Sequence, residues 1–306
     1  TEKGRHFLIT NIVATTASLY YELLALDNEL EIVDKNIILQ QEALEVVNVQ
    51  KEGGRATQLA VQQFTAQLLN TKAIAFNIRQ EIVKVENSLN ELLGRYPQTI
   101  ARDTAIMLQH AQKLLPTGNP SQLLIRRPDI RQIEFELEAA KADIAAARAA
   151  FLPSLSISPY IGYNSFKAGL LFDPGSIAYG ALAGLTTPIF AKRQLKTEFN
   201  IATAQARESL YNYQKVLLSA YSEVVTNLKL IENNTSVYNL KKEEVKELTD
   251  AVSTARELYL AGYANYLEVI TAQKGVLEAE IQLTENKKQL FQAIISLYKS
   301  LGGGWD

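Results

Sequence analysis

The sequence contains no cysteine, which excludes disulfides, thiolate metal sites and cysteine nucleophiles. Histidine is almost as scarce: only His6 and His110 occur, far apart and without metal-ligand spacing. Neither a phosphate-binding glycine loop nor a serine-nucleophile elbow is found. Carboxylates are plentiful, but they fall among Lys and Gln on helix faces, as solvated coiled-coil surfaces do. No residues support an enzyme, a metal site or a bound cofactor. The formal net charge is −2, so bulk charge argues against nucleic acid as a partner. No apolar run reaches the roughly 18 residues of a membrane-spanning helix. Thr1 to Arg5 shows no signal-peptide pattern, so the signal of an exported protein would lie upstream.

Helix breakers are missing over long stretches. All eight prolines lie between Pro97 and Pro188, and residues 5–52, 55–93 and 189–261 contain neither Gly nor Pro. The last stretch, as one helix at 1.5 Å per residue, would be about 110 Å long. Ordinary globular helices run about 8–20 residues, so this length reads as coiled coil.

What is present instead is a seven-residue spacing. Leu210, Leu217, Val224, Ile231, Tyr238, Val245, Val252 and Tyr259 follow it throughout. A shift of 208 positions carries the last seven onto Ile9, Thr16, Leu23, Leu30, Ile37, Leu44 and Lys51, most of them aliphatic. Return arms match too: Val61, Leu68, Ala75, Ile82 and Leu89 against Val269, Val276, Leu283, Leu290 and Leu297. Such a spacing imposes a left-handed supercoil. Each unit is therefore expected to be a long helical hairpin, turning at Gly53-Gly54 or Ala261-Gly262. A soluble helical bundle would show the same seams, so the seams alone leave both readings open.

The 208-position shift is itself a repeat. Gly54 to Gly94 aligns without a gap on Gly262 to Gly302, since 262 − 54 and 302 − 94 both equal 208. Among the identical pairs are Gly54/Gly262, Ala56/Ala264, Leu59/Leu267, Leu69/Leu277, Leu93/Leu301 and Gly94/Gly302. That period is too long for stacked small repeats and points to one large unit built twice.

The proline-bearing zone departs from the helical pattern. Residues 153–163 alternate: Leu155, Ile157, Ile161 and Tyr163 share one face, and Ser154, Ser156, Ser158 and Tyr160 the other. A second candidate strand starts at Ile177, with Tyr179, Ala181, Ala183 and Leu185 on one face. At about 11 residues, each has the length that crosses an outer membrane when tilted. A soluble hairpin would alternate likewise; the setting between coiled-coil helices favours the membrane.

The expected fold class is mainly α: long coiled-coil hairpins in a twofold repeat, with an inserted two-stranded β segment of an outer-membrane barrel. Residues 1–94 form the first hairpin, 95–127 a linker, and 128–306 the second repeat, with strands at about 154–164 and 177–188.

Several segments carry a family resemblance. They are Leu124-Ile-Arg-Arg-Pro-Asp-Ile130, Ala146-Ala-Arg-Ala-Ala-Phe-Leu-Pro-Ser154, Thr187-Pro-Ile-Phe190, Gly262-Tyr-Ala-Asn-Tyr-Leu-Glu-Val269 and Leu297-Tyr-Lys-Ser-Leu-Gly-Gly-Gly-Trp305. In this order and spacing the chain resembles the TolC family of outer-membrane efflux channels, closest to its lipoprotein (NodT-type) branch. The resemblance implies a homotrimer in the outer membrane of a Gram-negative bacterium, in contact with outer-membrane lipid and extending into the periplasm. It implies a shared 12-stranded barrel, four strands per protomer, and a helical tunnel. It further implies two partners, a periplasmic adaptor and an inner-membrane efflux pump. By the repeat, the counterpart of Pro128 would precede Thr1 by about 80 residues, including two strands and, in this branch, a lipid-anchored cysteine. Two strands per protomer would give six per trimer, too few for the native barrel.

The resemblance also assigns sites. The two turns, Gly53, Gly54, Arg55, Ala56, Thr57 and Ala261, Gly262, Tyr263, Ala264, Asn265, would form the adaptor-docking tips. The same glycines serve any helical hairpin, which needs a left-handed residue to reverse. Glu268 matches a family carboxylate at the periplasmic aperture, where three copies would form a cation-selective ring; equally, it suits a solvated helix surface. The next family carboxylate is Thr271 here. Tyr259 matches a tyrosine that latches the closed state, but its acidic partner corresponds to Ala60 and the usual arginine to Ala264, so the family's charge latch is not carried over intact; Arg55 could substitute. Arg126, Arg127, Pro128 and Asp129 read as a helix start. Lys192 and Arg193 would meet lipid headgroups or sit in water. Ala139 to Ala150 suits tight helix packing.

Overall fold

The structure, a computed structural model, describes residues 2–102, 105–109 and 127–303. His110, Leu124 to Arg126 and Trp305 lie outside the described residues. Where glycine and proline are missing, the chain is helical. Helix α1 runs Glu2–Glu52 and α2 Gln58–Leu92, followed by a 3-10 turn at Ile106–Leu108. Helix α3 is Pro128–Ala149; strands β1, Ser154–Tyr163, and β2, Ile177–Thr186, come next. Helix α4, Lys192–Ala261, and α5, Tyr266–Ser300, complete the order. Two compact units result: Thr1–Asp129 with Ser219–Asp306, and Ile130–Leu218.

The first unit is built on the heptad seams. Leu23, Leu26 and Val33 of α1 close against Ala75, Ile78, Val85 and Leu89 of α2. Burial of each such aliphatic side chain is worth about 1.5–3 kcal/mol. Positions 23, 30, 37 and 44 point inward as the spacing predicts, whereas Lys51 is exposed. A second inward row at 26, 33, 40 and 47 completes the heptad. On α4 the corresponding second row includes Ala220, Asn227, Asn234 and Lys241, which are buried or half-buried. Because three of these are polar, a search for apolar periodicity passes over that row.

Helix α1 is covered on two sides. Its Leu24 and Ala25 pack with Ile106 and with Phe291 of α5, while Leu23 and Leu26 face α2. Tyr21 stacks on Phe291 at 4.3 Å between ring centroids. Although its sequence has no unbroken apolar run, α1 carries an 18-residue window of mean hydropathy 1.2. Only 22% of that window is buried, and Phe7, Leu8, Ile12 and Val13 near the start of α1 are exposed.

In the second unit, β1 and β2 pair antiparallel, from Ser154↔Thr186 to Tyr163↔Ile177. This register places Leu155 opposite Leu185, Ile157 opposite Ala183, Ile161 opposite Tyr179 and Tyr163 opposite Ile177. Period-two alternation puts all of them on one face. Ser154, Ser156 and Tyr160 line the other, whose one large aliphatic is Leu182, opposite Ser158. The apolar face is bare: Ile161 and Tyr179 are 80% and 81% exposed. In this unit Ala139 to Ala150 is largely exposed, and so is Leu210, although it continues the α4 seam.

Candidate functional site

Both hairpin turns are built by the same hydrogen bonds, displaced by 208 positions. Gly54 N–H donates to the Lys51 carbonyl and Gly262 N–H to Tyr259, at 3.0 and 3.1 Å. Arg55 and Ala56 both donate to Gln50; Tyr263 and Ala264 both donate to Leu258. Gly54 and Gly262 adopt φ of 72° and 83°, the left-handed conformation that lets a chain leave a helix and reverse. Among the described residues the other positive-φ positions are Gly94 and Gly302, the opposite ends of the same repeat.

Each turn then starts a helix with a cap. The Thr57 hydroxyl accepts from Ala60 N–H at 3.2 Å. At the equivalent place Asn265 Oδ1 accepts from Leu267 and Glu268 N–H at 2.8 and 3.2 Å. Glu268 Oε1 accepts in return from Asn265 N–H, closing a capping box. Glu268 thus has a local structural task, and it remains exposed, as does Thr271.

The flanks of the two turns meet. Val47, Ala60, Phe64 and Val269 form one buried cluster, with Ala56, Ala255, Tyr259 and Tyr266 packed on it. Ala60 is 0% exposed. Tyr259 is therefore held by apolar contacts, and its hydroxyl makes no hydrogen bond among the described residues. Burial pushes its phenol up from the ordinary value. Gly53, Gly54, Arg55, Thr57, Ala261, Gly262, Tyr263 and Asn265 are all exposed, with Ala56 and Ala264 half-buried at matching positions. The tips thus present backbone and small side chains, apart from Arg55 and a Tyr263 that is 85% exposed.

At the far end of the first unit stand two arginine hubs. Arg127, 9% exposed, donates to both Asp129 carboxylate oxygens at 3.1 and 2.7 Å, to Glu223 at 2.9 Å and to the Ser300 carbonyl at 3.0 Å. It joins the start of α3 to α4 and to the end of α5. Burial opposes its charge, but the hydrogen bonds to Asp129 and Glu223 outweigh that and leave it raised. Arg102 plays the same part between α1 and α2, donating to Asp27 at 2.6 and 3.0 Å, to Glu86 at 2.7 Å and to the Ile100 carbonyl. Sequence reading found Arg127 as a helix start and missed Arg102. Its partners Asp27 and Glu86 are distant in sequence and leave no local pattern.

These are the features of a repeated coiled-coil hairpin carrying an amphipathic strand pair. Residues 119–303, more than half of the chain, match the family described as outer membrane efflux protein. The chain belongs to that family. Outer-membrane localisation comes with it. The cation efflux system protein CusC of Escherichia coli O6:H1 is 30% identical over 310 residues, covering 100% of this chain and 66% of CusC. The pyoverdine export outer membrane protein OpmQ of Pseudomonas putida is 30% identical over 294 residues, covering 96% of this chain and 62% of OpmQ. The chain therefore spans less than two thirds of the length of these curated relatives. A solved CusC structure superposes with a TM-score of 0.92 at 28% identity, over 99% of this chain and 71% of that one. The outer-membrane channel OprN shares the fold, with a TM-score of 0.94 at 24% identity over 99% of this chain and 68% of its own.

Proposed function

We propose that this protein is the outer-membrane duct of a tripartite efflux system. The reading rests on one juxtaposition: a strand pair with a bare apolar face, in a chain whose other elements are hairpins of coiled-coil length. The strands would contribute to a barrel shared by a homotrimer, with the apolar face toward lipid. The helices would line the tunnel below. Transport is passive through it, with energy supplied by an inner-membrane pump through a periplasmic adaptor. No catalytic role is assigned to any residue.

Residues 1–94, 95–127 and 128–306 would serve as first hairpin, linker and second repeat. The adaptor would dock on the two tips. Their small side chains and open backbone suit close helix contact with a partner. Tip opening would act like an iris, with Tyr259 and its apolar neighbours replacing the family's charge latch. Glu268, three copies around the axis, would form the acidic ring; with Thr271 in place of a second carboxylate, the ring is weak. Glu268→Gln separates the ring from the cap, because glutamine keeps the capping box and loses the charge. Reduced cation selectivity in single-channel recordings, with unchanged tip stability, is the expected result.

Negative-stain imaging of purified protein tests the whole reading. A long trimeric tube supports it; a monomer indifferent to detergent would overturn it. Combining Arg55→Glu with Gly262→Trp tests the tips. Drug resistance should fall at normal expression, and unchanged resistance counts against tip docking.

A further inference from the structure

The contact between α1 and α5 differs in chemistry from that between α1 and α2. Where α2 offers Ala75, Ile78 and Val85, α5 offers a column of polar groups. Asn28 donates to the Thr284 hydroxyl at 2.8 Å, and Asn36 to Glu280 at 3.4 Å. Lys288, with its side chain 12% exposed, bridges Glu22 of α1 at 3.0 Å and Glu285 of its own helix at 2.6 Å. Gln292 donates to the other Glu22 oxygen at 3.2 Å.

Glu29 is the group this column leaves over. It is half-buried, and among the described residues it makes neither a hydrogen bond nor an ion pair. It lies one heptad from Glu22, which meets Lys288, and one heptad from Asn36, which meets Glu280, so it faces α5 between those contacts, with Glu22, Glu285 and Lys288 the neighbouring charges. Lys288 is already shared by two carboxylates, so Glu29 is the third acid beside one ammonium. An ionised Glu29 would be desolvated and repelled by two neighbours; a protonated one would be tolerated.

We propose that the α1–α5 contact is a proton-sensitive clamp: an uncharged Glu29 lets the first helix close on the last, and its ionisation beside Glu22 and Glu285 loosens that contact. The clamp concerns one compact unit and stands apart from the duct reading, since it is measured on the helices and not on transport.

Burial, followed by the two like charges and opposed by Lys288, raises Glu29 to about 7. The direction of the linkage follows. A carboxyl whose folded-state value is raised stabilises the closed form fully below its unfolded value of 4.5. That stability is lost as pH rises through about 7 and stays lost above. Acid therefore tightens the seam and alkali loosens it.

Hydrogen exchange on the detergent-purified protein, corrected for intrinsic amide rates, reads the clamp directly. Peptides over residues 20–36 and 280–292 should lose protection by at most about tenfold between pH 6 and pH 8.5, less where solvent screens the seam. In Glu29→Gln this loss should disappear. Glu285→Gln, which removes one repelling charge, should move it to lower pH. Peptides over residues 74–89, on the apolar side, should change little in all three proteins. An equal pH response in wild type and Glu29→Gln, or none in wild type, would overturn the proposal.

Discussion

Thr57 and Asn265 hold equivalent N-cap positions 208 residues apart and use different side chains to do it. Thr57 satisfies one backbone N–H, whereas Asn265 satisfies two and receives Glu268 in exchange. Alanine at an N-cap costs about 0.5–2 kcal/mol. We expect Asn265→Ala to lie toward the upper end and Thr57→Ala toward the lower. Exchange rates of the first-turn amides of α5 and α2 would show it; equal losses would contradict the difference in caps.

The repeat glycines make a contrasting pair with Gly275. At Gly262 the φ of 83° disfavours any side chain, so Gly262→Ala should destabilise the turn by about 1–2 kcal/mol. Gly54→Ala should behave alike. Gly275 sits inside α5, and an added methyl there would meet Leu248 Cδ2 at an ordinary 3.7 Å. Gly275→Ala should therefore stabilise the helix by about 0.5–1 kcal/mol. Thermal unfolding of the three variants decides this, and the sign at Gly275 is the critical reading.

Removing Arg127 strands two carboxylates beside a buried backbone carbonyl. Arg127→Met should cost about 1–3 kcal/mol, since the guanidinium and the Ser300 carbonyl are buried while Asp129 and Glu223 keep part of their hydration. Arg102→Met removes a guanidinium that is itself more exposed, 23% against 11%, and should cost less. Chemical denaturation monitored by helical signal provides the comparison. A loss below that of an ordinary surface ion pair at Arg127 would refute its role as a hub.

The two faces of the strand pair should respond differently to charge. Tyr179→Arg and Ile157→Arg place a cation on the apolar face, at about 2–4 kcal/mol near a bilayer midplane. Ser156→Arg places it on the opposite face and should be tolerated. Yield of protein in outer-membrane fractions tests this, and equal yields would mean that the apolar face does not meet lipid.

Much of this fold is legible in the sequence. Glycine and proline punctuate the sequence where helices end, because a reversing chain takes a left-handed φ there and a helix start can do without an N–H. Leu23, Leu30, Val269 and Val276 declared the seams through their spacing. The strand pair declared its two faces through alternation at Leu155 to Tyr163. The second row of α4 is largely polar, as at Asn234 and Lys241, and apolar periodicity carries no signal for it; the second row of α1, Leu26, Val33, Gln40 and Val47, is mainly apolar and repeats the seven-residue spacing of the first.

The sequence by itself determined the repeat, the hairpins and the amphipathic strands, because these depend on local backbone preference and on a period read along one element. Tertiary structure alone decided the rest. It brought Asp27 and Glu86 to Arg102, packed Tyr259 against the cluster around Ala60 and left Glu29 beside an ammonium already shared. Burial and charge at those residues are set by which helices meet and in what register, and no single helix contains that information.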